Sequence, residues 1–353
     1  MNVSEYYVVG VMSGTSLDGI DVAYLHFKKE EKWTYDIIHG ETIAYTSSWE
    51  TKLREAINCS ESDLESLNVN YTKLLAEVIN GFIEKHQLKN IDAVCSHGHT
   101  ILHQPKNGLT LQIGNLEQLS DLLQQKVVCD FRVQDVRLGG QGAPLVPIGD
   151  ELLFSEFDYC LNLGGFSNIS TQKNNQRIAY DICPVNIVLN HYVQQLGLSY
   201  DDGGRIAASG KINIELLDKL NSLEFYQLDF PKSLGLEWVQ ETIFPLIDRF
   251  ELTVSDVLRT FVEHCALQIT KQFCNKGRVL ITGGGAYNLL LINQIKSMSE
   301  NEIYLSESNL IEYKEALIFG FLGVLKLRDE VNVLASVTGA KKNHSSGVVF
   351  NCK

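Results

Sequence analysis

Residues 8–25 read V-V-G-V-M-S-G-T-S-L-D-G-I-D-V-A-Y-L. Two apolar runs flank one short polar turn at 13–19, so strands are expected over 8–12 and 20–27, paired through that turn. The turn gathers two glycines, three hydroxyl side chains and an aspartate. Bound phosphate needs many hydrogen-bond donors close together, and glycine lets backbone N–H groups approach it. Gly14, Thr15, Ser16, Leu17 and Gly19 are therefore candidate phosphate contacts. Asp18 and Asp21 are candidates to hold a hydrated Mg²⁺, which takes one or two carboxylates plus water and phosphate oxygens. For Asp18 the alternative is a turn aspartate that satisfies its own backbone.

The pattern recurs twice. An apolar run at 159–163 leads into a turn at 164–168 and a return strand at 169–171, which repeats the opening hairpin and offers Gly164, Gly165, Ser167 and Asn168. A strand at 278–282 leads into Gly283, Gly284 and Gly285 and then a helix at 288–299, a placement suited to an adenosine or phosphate contact near a helix N-terminus. None of the three is a G-K-[ST] phosphate loop or a G-x-G-x-x-G fingerprint. Any one of them alone reads as a tight turn. Hairpin, hairpin and strand–GGG–helix in that order match the duplicated actin-like ATPase fold shared by actin, sugar kinases and Hsp70. That fold is α/β and ribonuclease H-like, with two lobes around a nucleotide cleft.

The rest of the chain agrees with an α/β class. Helical spacing covers 50–57 and 61–86, where Leu64, Leu67, Tyr71, Leu74, Leu75, Val78, Ile79 and Phe82 follow a 3.6 period behind Ser62 as N-cap. Further helices are expected at 116–123, 185–195, 236–250 and 255–274, the last capped by Ser255. Short strands are expected at 93–96, 109–113, 126–129 and 177–181, so strands and helices alternate. A length of 353 residues exceeds the ~250–300 at which single cores stop growing. Two lobes are expected, one from 1–130 with 331–353 and one from 131–330.

Net charge is −13, which argues against nucleic-acid or anionic-membrane binding, since both need a positive footprint. The eight cysteines form no C-x-x-C pair and read as reduced, buried thiols of a cytoplasmic protein. The N-terminus, with Glu5 and no apolar core, reads as lacking a signal peptide. No apolar run approaches the ~20 residues of a membrane span.

G-V-M-S-G-T-S-L-D-G-I-D at 10–21 resembles the opening signature of the anhydro-N-acetylmuramic acid kinases. The resemblance continues through S-H-G-H-T-I-L-H-Q-P at 96–105, Q-I-G-N at 112–115, D-F-R at 130–132 and G-G-Q-G-A-P-L-V-P at 139–147. It then runs through N-L-G-G-F-S-N-I at 162–169, P-K-S-L-G at 231–235, G-G-G-A-Y-N at 283–288, Glu315–Ala316 and V-T-G-A at 337–340. It covers essentially the whole chain. What it implies is an ATP- and Mg²⁺-dependent kinase that phosphorylates 1,6-anhydro-N-acetylmuramate while water opens the anhydro ring. The product, N-acetylmuramate 6-phosphate, belongs to peptidoglycan recycling, and a homodimer is implied as well. The alternatives are a related sugar kinase with a drifted substrate, and a non-catalytic nucleotide-binding or Hsp70-like protein.

The resemblance also suggests roles. Asp181 is the candidate general base for the attacking water, with a capping aspartate before Pro184 as the alternative. Arg132 is a candidate anchor for the sugar carboxylate, against a salt bridge to Asp130 or Asp135. His97, Thr100 and Glu315 are candidate sugar contacts, although Glu315 at the start of a helix would be favoured there anyway. His97, His99 and His103 lack the acidic or cysteine partners of a zinc site, and a strand would place 97 and 99 on one face. Lys232 reads as a surface residue or a phosphate contact. The family's F-D-T-G-P-G-N stands here as Y-D-I-C-P-V-N at 180–186, so Val185 is expected to narrow or reshape the pocket. Leu234 and Leu236 replace a threonine and an arginine of the family pattern.

Overall fold

The computed structural model describes residues 4–14 and 17–353. Its strands are β1 (Glu5–Ser13), β2 (Ile20–Lys29), β3 (Trp33–Ile43), β4 (Ala93–Gln104), β5 (Leu109–Ile113), β6 (Val127–Cys129), β7 (Tyr159–Leu163), β8 (Phe166–Lys173), β9 (Gln176–Pro184), β10 (Arg278–Thr282), β11 (Glu302–Leu305) and β12 (Val348–Phe350). They form two sheets in two compact units, Met1–Leu153 with Tyr313–Lys353, and Phe154–Glu312.

In the first unit the order is β3-β2-β1-β4-β6-β12, with β5 paired to β4. β1 and β2 are antiparallel in the register Val8↔Leu25, β3 follows antiparallel, and β4 and β6 run parallel to β1. In the second unit the order is β9-β8-β7-β10-β11, again with two antiparallel neighbours on one side and two parallel ones on the other. Each unit thus places its third, second, first, fourth and fifth main strands in the same sequence across the sheet. This is the duplicated ribonuclease H-like α/β architecture that the repeated hairpins announced.

The units divide at 153/154 and 312/313, not at 130/131 and 330/331. Residues after β6 return to the first unit: Asp135 accepts a hydrogen bond from Thr338 Oγ1 at 2.8 Å, and the Phe131 carbonyl accepts one from Ser346 Oγ at 2.6 Å. Residues 313–327 likewise lie on the first sheet. There the helix approaches so closely that a Cβ on Gly10 would collide with the Ala316 carbonyl, and one on Gly323 with Cys95 Sγ. The helix Ser308–Leu327 spans the boundary and has a non-helical residue at Tyr313 (φ −112°, ψ 15°).

Local capping differs from the expected residues by two positions each time. Ser60, not Ser62, caps the helix Glu61–Lys85, accepting from Asp63 N at 3.3 Å. Thr253, not Ser255, caps Val254–Thr270 in the same way. The expected helix at 236–250 is broken into Leu236–Trp238, a wide turn at Val239–Ile243 and Phe244–Asp248. Pro245 has no N–H to continue a regular ladder there. β4 extends eight residues past the expected strand end because β5 pairs with its second half.

Each unit has its own core. Val9, Val11, Val22, Tyr71, Leu75, Ile79, Val94 and Ile113 belong to the first, and Leu161, Leu163, Ile182, Val188, Leu258, Phe261, Val279 and Ile281 to the second. Five cysteines are buried, but Cys59, Cys274 and Cys352 are exposed, and all eight are free thiols.

Candidate functional site

In the first unit the candidate residues lie in the turn after β1, at the start of β2, within β4, just after β6 and on the helix Ser308–Leu327. The turn after β1 places Gly14, Leu17, Asp18 and Gly19, while Thr15 and Ser16 lie outside the described residues. Leu17 N–H donates to Gly14 O at 3.4 Å, and Leu17 adopts φ 63°, so the backbone bends sharply. Gly19 is required by closeness, since a Cβ would sit 2.6 Å from Ile43 O. The Asp18 side chain is exposed. Asp21 stands on β2 and accepts from Thr42 Oγ1 at 2.6 Å, so one of its oxygens is engaged.

The histidines do not act as a group. Gly98, at φ 74°, interrupts the regular alternation of β4 and sends His97 and His99 to different partners. His97 Nε2 accepts from Arg132 Nε at 2.8 Å, and its Nδ1 lies 2.8 Å from the Gly98 carbonyl. Burial, then the Arg132 charge, holds the His97 pKa well below the usual value. A neutral ring that accepts at Nε2 must donate from Nδ1, so both nitrogens are engaged and His97 orients Arg132. His99 instead bonds Ser13 Oγ, and His103 bonds Thr110 Oγ1 at 3.0 Å.

Arg132 also donates from Nη1 to the Gly142 carbonyl at 2.6 Å, and its guanidinium lies 5.8 Å from the Phe319 ring centre. Burial lowers its pKa to about 10, with Glu315 and Asp135 opposing, so it stays cationic at neutral pH. Asp135 is not its hydrogen-bond partner: that fully buried carboxylate accepts from Gly142 N at 2.7 Å and from Thr338. Glu315 does not open a helix but follows the Tyr313 kink in mid-helix. Its side chain is exposed, and desolvation by surrounding protein raises its pKa while Arg132 and Lys314 oppose that shift. Thr100 Oγ1 accepts from Gln112 Nε2 at 3.3 Å.

In the second unit β8 and β9 bring Asn168 opposite Asp181. Asp181 is half-buried, and its Oδ2 accepts from Leu234 N at 2.8 Å while its own N–H donates to Lys232 O at 3.1 Å. The 231–235 segment therefore clamps this carboxylate through backbone groups alone, which is why replacing a threonine by Leu234 leaves the clamp intact. Burial raises the Asp181 pKa, and the Leu234 N–H partly offsets this. Lys232 donates to Phe225 O at 3.4 Å and lies over the Phe225 ring.

The carbonyls of Gly164 and Gly165 accept from Asn186 N at 3.3 Å and Val185 N at 2.8 Å, so the second turn leads into the helix Asn186–Val193. Ser167 is turned inward, donating to Cys183 O at 3.0 Å. Cys183 and Val185 are fully buried in the second core. The side chains that replace two glycines therefore fill core space, contrary to the narrowed pocket expected. Gly283 takes φ 80° after β10, where a Cβ would lie 2.6 Å from Asn162 Oδ1. Gly284 is exposed and Gly285 buried ahead of the helix Leu289–Ser297, which Asn288 caps.

Sequence reading missed the buried polar set Ser13, Tyr45, Tyr71 and His99, because tyrosines at apolar-periodic positions read as core. Among the described residues no group of three His, Cys, Asp or Glu side chains could hold a metal by itself. An exposed Asp18 fits Mg²⁺ that takes most of its ligands from water and phosphate.

The sequence model of the family described as anhydro-N-acetylmuramic acid kinase matches residues 6–352. The chain is 34% identical over 372 residues to the anhydro-N-acetylmuramic acid kinase of Pseudomonas savastanoi pv. phaseolicola, covering 98% of this chain and 99% of that one. It is 35% identical over 379 residues to the protein of that name from Mannheimia succiniciproducens, covering 98% and 99%. The Haemophilus influenzae protein of that name is 32% identical over 385 residues, covering 99% of each.

Proposed function

The chain belongs to the anhydro-N-acetylmuramic acid kinase family, and on that premise we propose how its residues divide the work of an ATP-dependent phosphorylation of 1,6-anhydro-N-acetylmuramate. Asp181 is the general base. It takes a proton from water as that water attacks the anomeric carbon. The bond from that carbon to O6 breaks, O6 attacks the γ-phosphorus of ATP, and the bond to the β-phosphate oxygen breaks. ADP and N-acetylmuramate 6-phosphate result.

The observation that carries this reading is the state of Asp181. One oxygen is fixed by Leu234 N–H, and burial raises the carboxyl pKa toward working pH, which makes a carboxylate a better base. Arg132, held by His97 and Gly142, anchors the sugar carboxylate by its remaining guanidinium donors. Thr100 and Glu315 offer hydroxyl and carboxylate contacts to the sugar. The turns containing Gly14–Gly19 and Gly164–Asn168 contact the phosphates, and Gly283–Gly285 the adenosine side. Asp18 is the residue that would hold Mg²⁺, with Asp21 behind it, and the ion when bound neutralises charge on the transferring phosphate.

No helix among the described residues is long and apolar enough to cross a membrane. The proposed reaction takes place on an amino sugar in the cytoplasm. The protein works as a homodimer, which gel filtration with light scattering tests. The catalytic reading is tested by ADP formation with saturating ATP, Mg²⁺ and the anhydro sugar. Turnover that depends on the sugar supports it, and ATP hydrolysis indifferent to the sugar contradicts it.

A further inference from the structure

Four buried polar side chains meet where β1 ends and the phosphate turn begins. Ser13 Oγ lies 2.6 Å from Tyr45 Oη, accepts from Tyr71 Oη at 2.9 Å, and lies 2.8 Å from His99 Nδ1. Tyr45 Oη and Tyr71 Oη are themselves 2.6 Å apart. All four residues are at most 8% exposed. They come from four places in the first unit: the end of β1, the segment after β3, the helix Glu61–Lys85, and β4. Helix and sheet approach closely here because Gly114 has no side chain; a Cβ there would lie 2.9 Å from the Tyr71 ring.

The protons can be counted. Four contacts need four donated hydrogens. Each hydroxyl supplies one, so three come from Ser13, Tyr45 and Tyr71. The fourth has to come from His99, which must therefore carry its proton on Nδ1. With Tyr71 donating to Ser13, Ser13 donates to Tyr45 and Tyr45 back to Tyr71, which closes a ring in one sense of rotation. With His99 protonated at Nε2 instead, Ser13 would donate to Nδ1, and the three oxygen–oxygen contacts would share only two hydrogens, leaving one of them bare. Burial lowers the His99 pKa to about 4, so the ring is neutral and has only one proton to give.

We propose that this closed ring of hydroxyls, locked by a His99 Nδ1–H donor, is the anchor that holds the start of the nucleotide-binding turn, and that Tyr71 and His99 are positioning residues acting through Ser13. The inference rests on the reading of the 13–19 turn as a phosphate contact. Ser13 directly precedes Gly14, and three bonds fix its side chain in the sheet. A turn whose first residue cannot rotate presents its N–H groups to phosphate without an ordering cost at binding. Removing one hydroxyl breaks the ring's sense and frees the neighbours to re-pair locally, so the effect falls on the turn and not on the fold.

The test uses the full chain and two readouts. In ¹⁵N-histidine-labelled protein at pH 7, long-range ¹H–¹⁵N spectra should show His99 protonated at Nδ1 and bare at Nε2. Tyr71→Phe should relax that preference toward the Nε2–H form and weaken ATP binding by calorimetry about tenfold. Leu75→Val, a core change on the same helix, serves as the control and should lower Tm while leaving ATP affinity within twofold. An Nε2–H tautomer in the unaltered protein overturns the proposal. So does a folded Tyr71→Phe protein with unchanged ATP affinity. Should Tyr71→Phe not fold, Tyr45→Phe carries the same expectation. Both readouts are independent of the sugar, so failure to phosphorylate the anhydro sugar would contradict the proposed reaction and leave this inference to stand or fall on its own.

Discussion

Asp181→Asn separates the proposed base from its scaffold. Asparagine matches aspartate in volume, and its carbonyl oxygen can accept the 2.8 Å bond from Leu234 N–H. The backbone bond from residue 181 N–H to Lys232 O is untouched. The clamp formed by 231–235 therefore survives, and what disappears is a proton acceptor. Loss of a general base costs about 10²–10⁴ in rate, or about 3–5 kcal/mol of barrier at 1.36 kcal/mol per tenfold. Because burial raises this carboxyl's pKa, its basicity lies closer to working pH and the loss should fall in the upper half of that range. A coupled ADP-release assay at saturating substrates measures kcat, and calorimetry measures ATP affinity, which should stay within threefold. Stability should move the other way. A carboxyl whose folded pKa is raised contributes stability at low pH that is lost as pH rises through the folded value, so the neutral amide should match or exceed the unaltered Tm at pH 7. A fall in kcat of less than tenfold, or a collapse of ATP affinity with kcat preserved, would refute the assignment.

Three further changes probe other parts of the structure. Asp130 sits at φ 59° with its pKa raised to about 6 by burial, so Asp130→Asn, which tolerates that backbone, should raise Tm at pH 8 and leave it unchanged near pH 4, as thermal melts across pH would show. Asp135→Ala strips acceptors from Gly142 N–H and Thr338, and chemical denaturation should register about 1–3 kcal/mol for each orphaned buried donor. Arg132→Lys replaces a fork that serves His97 and Gly142 together with a point charge. It should raise KM for the sugar about tenfold or more while leaving KM for ATP within twofold, and equal rises in both would count against an anchoring role.

The fold was legible because its signals were repeated. Two copies of an apolar–turn–apolar hairpin and a strand leading into Gly283–Gly285 are local patterns, and each became the expected strand pair or turn. The unit boundaries were not legible, because they depend on long-range packing. Gly10 is bare so that a helix more than three hundred residues later can lie on β1, and nothing near Gly10 in the chain says so. The caps at Ser60 and Thr253 lost to serines two residues on, since either residue type suits an N-cap and the competition is settled by where the helix first packs.

At the candidate site, residue identity was readable but partnership was not. Asp181 and Arg132 stood out by motif, whereas the backbone clamp on Asp181 and the His97 hold on Arg132 join segments 35 or more residues apart. Val185 looked like a pocket residue because it and Cys183 replace glycines near Asp181. The register shift between Ser167↔Cys183 and Asn168↔Asp181 breaks the alternation of β9 beyond Asp181, and Cys183 and Val185 face the core instead.

The most direct test is product identification. The protein, ATP, Mg²⁺ and 1,6-anhydro-N-acetylmuramate are mixed, and the products are read by ³¹P NMR with mass analysis of the sugar. The expected result is ADP and N-acetylmuramate 6-phosphate in equal amounts, with the ring-opened sugar carrying one added water. Phosphate on an intact anhydro sugar, or no ADP above the sugar-free control, would contradict it.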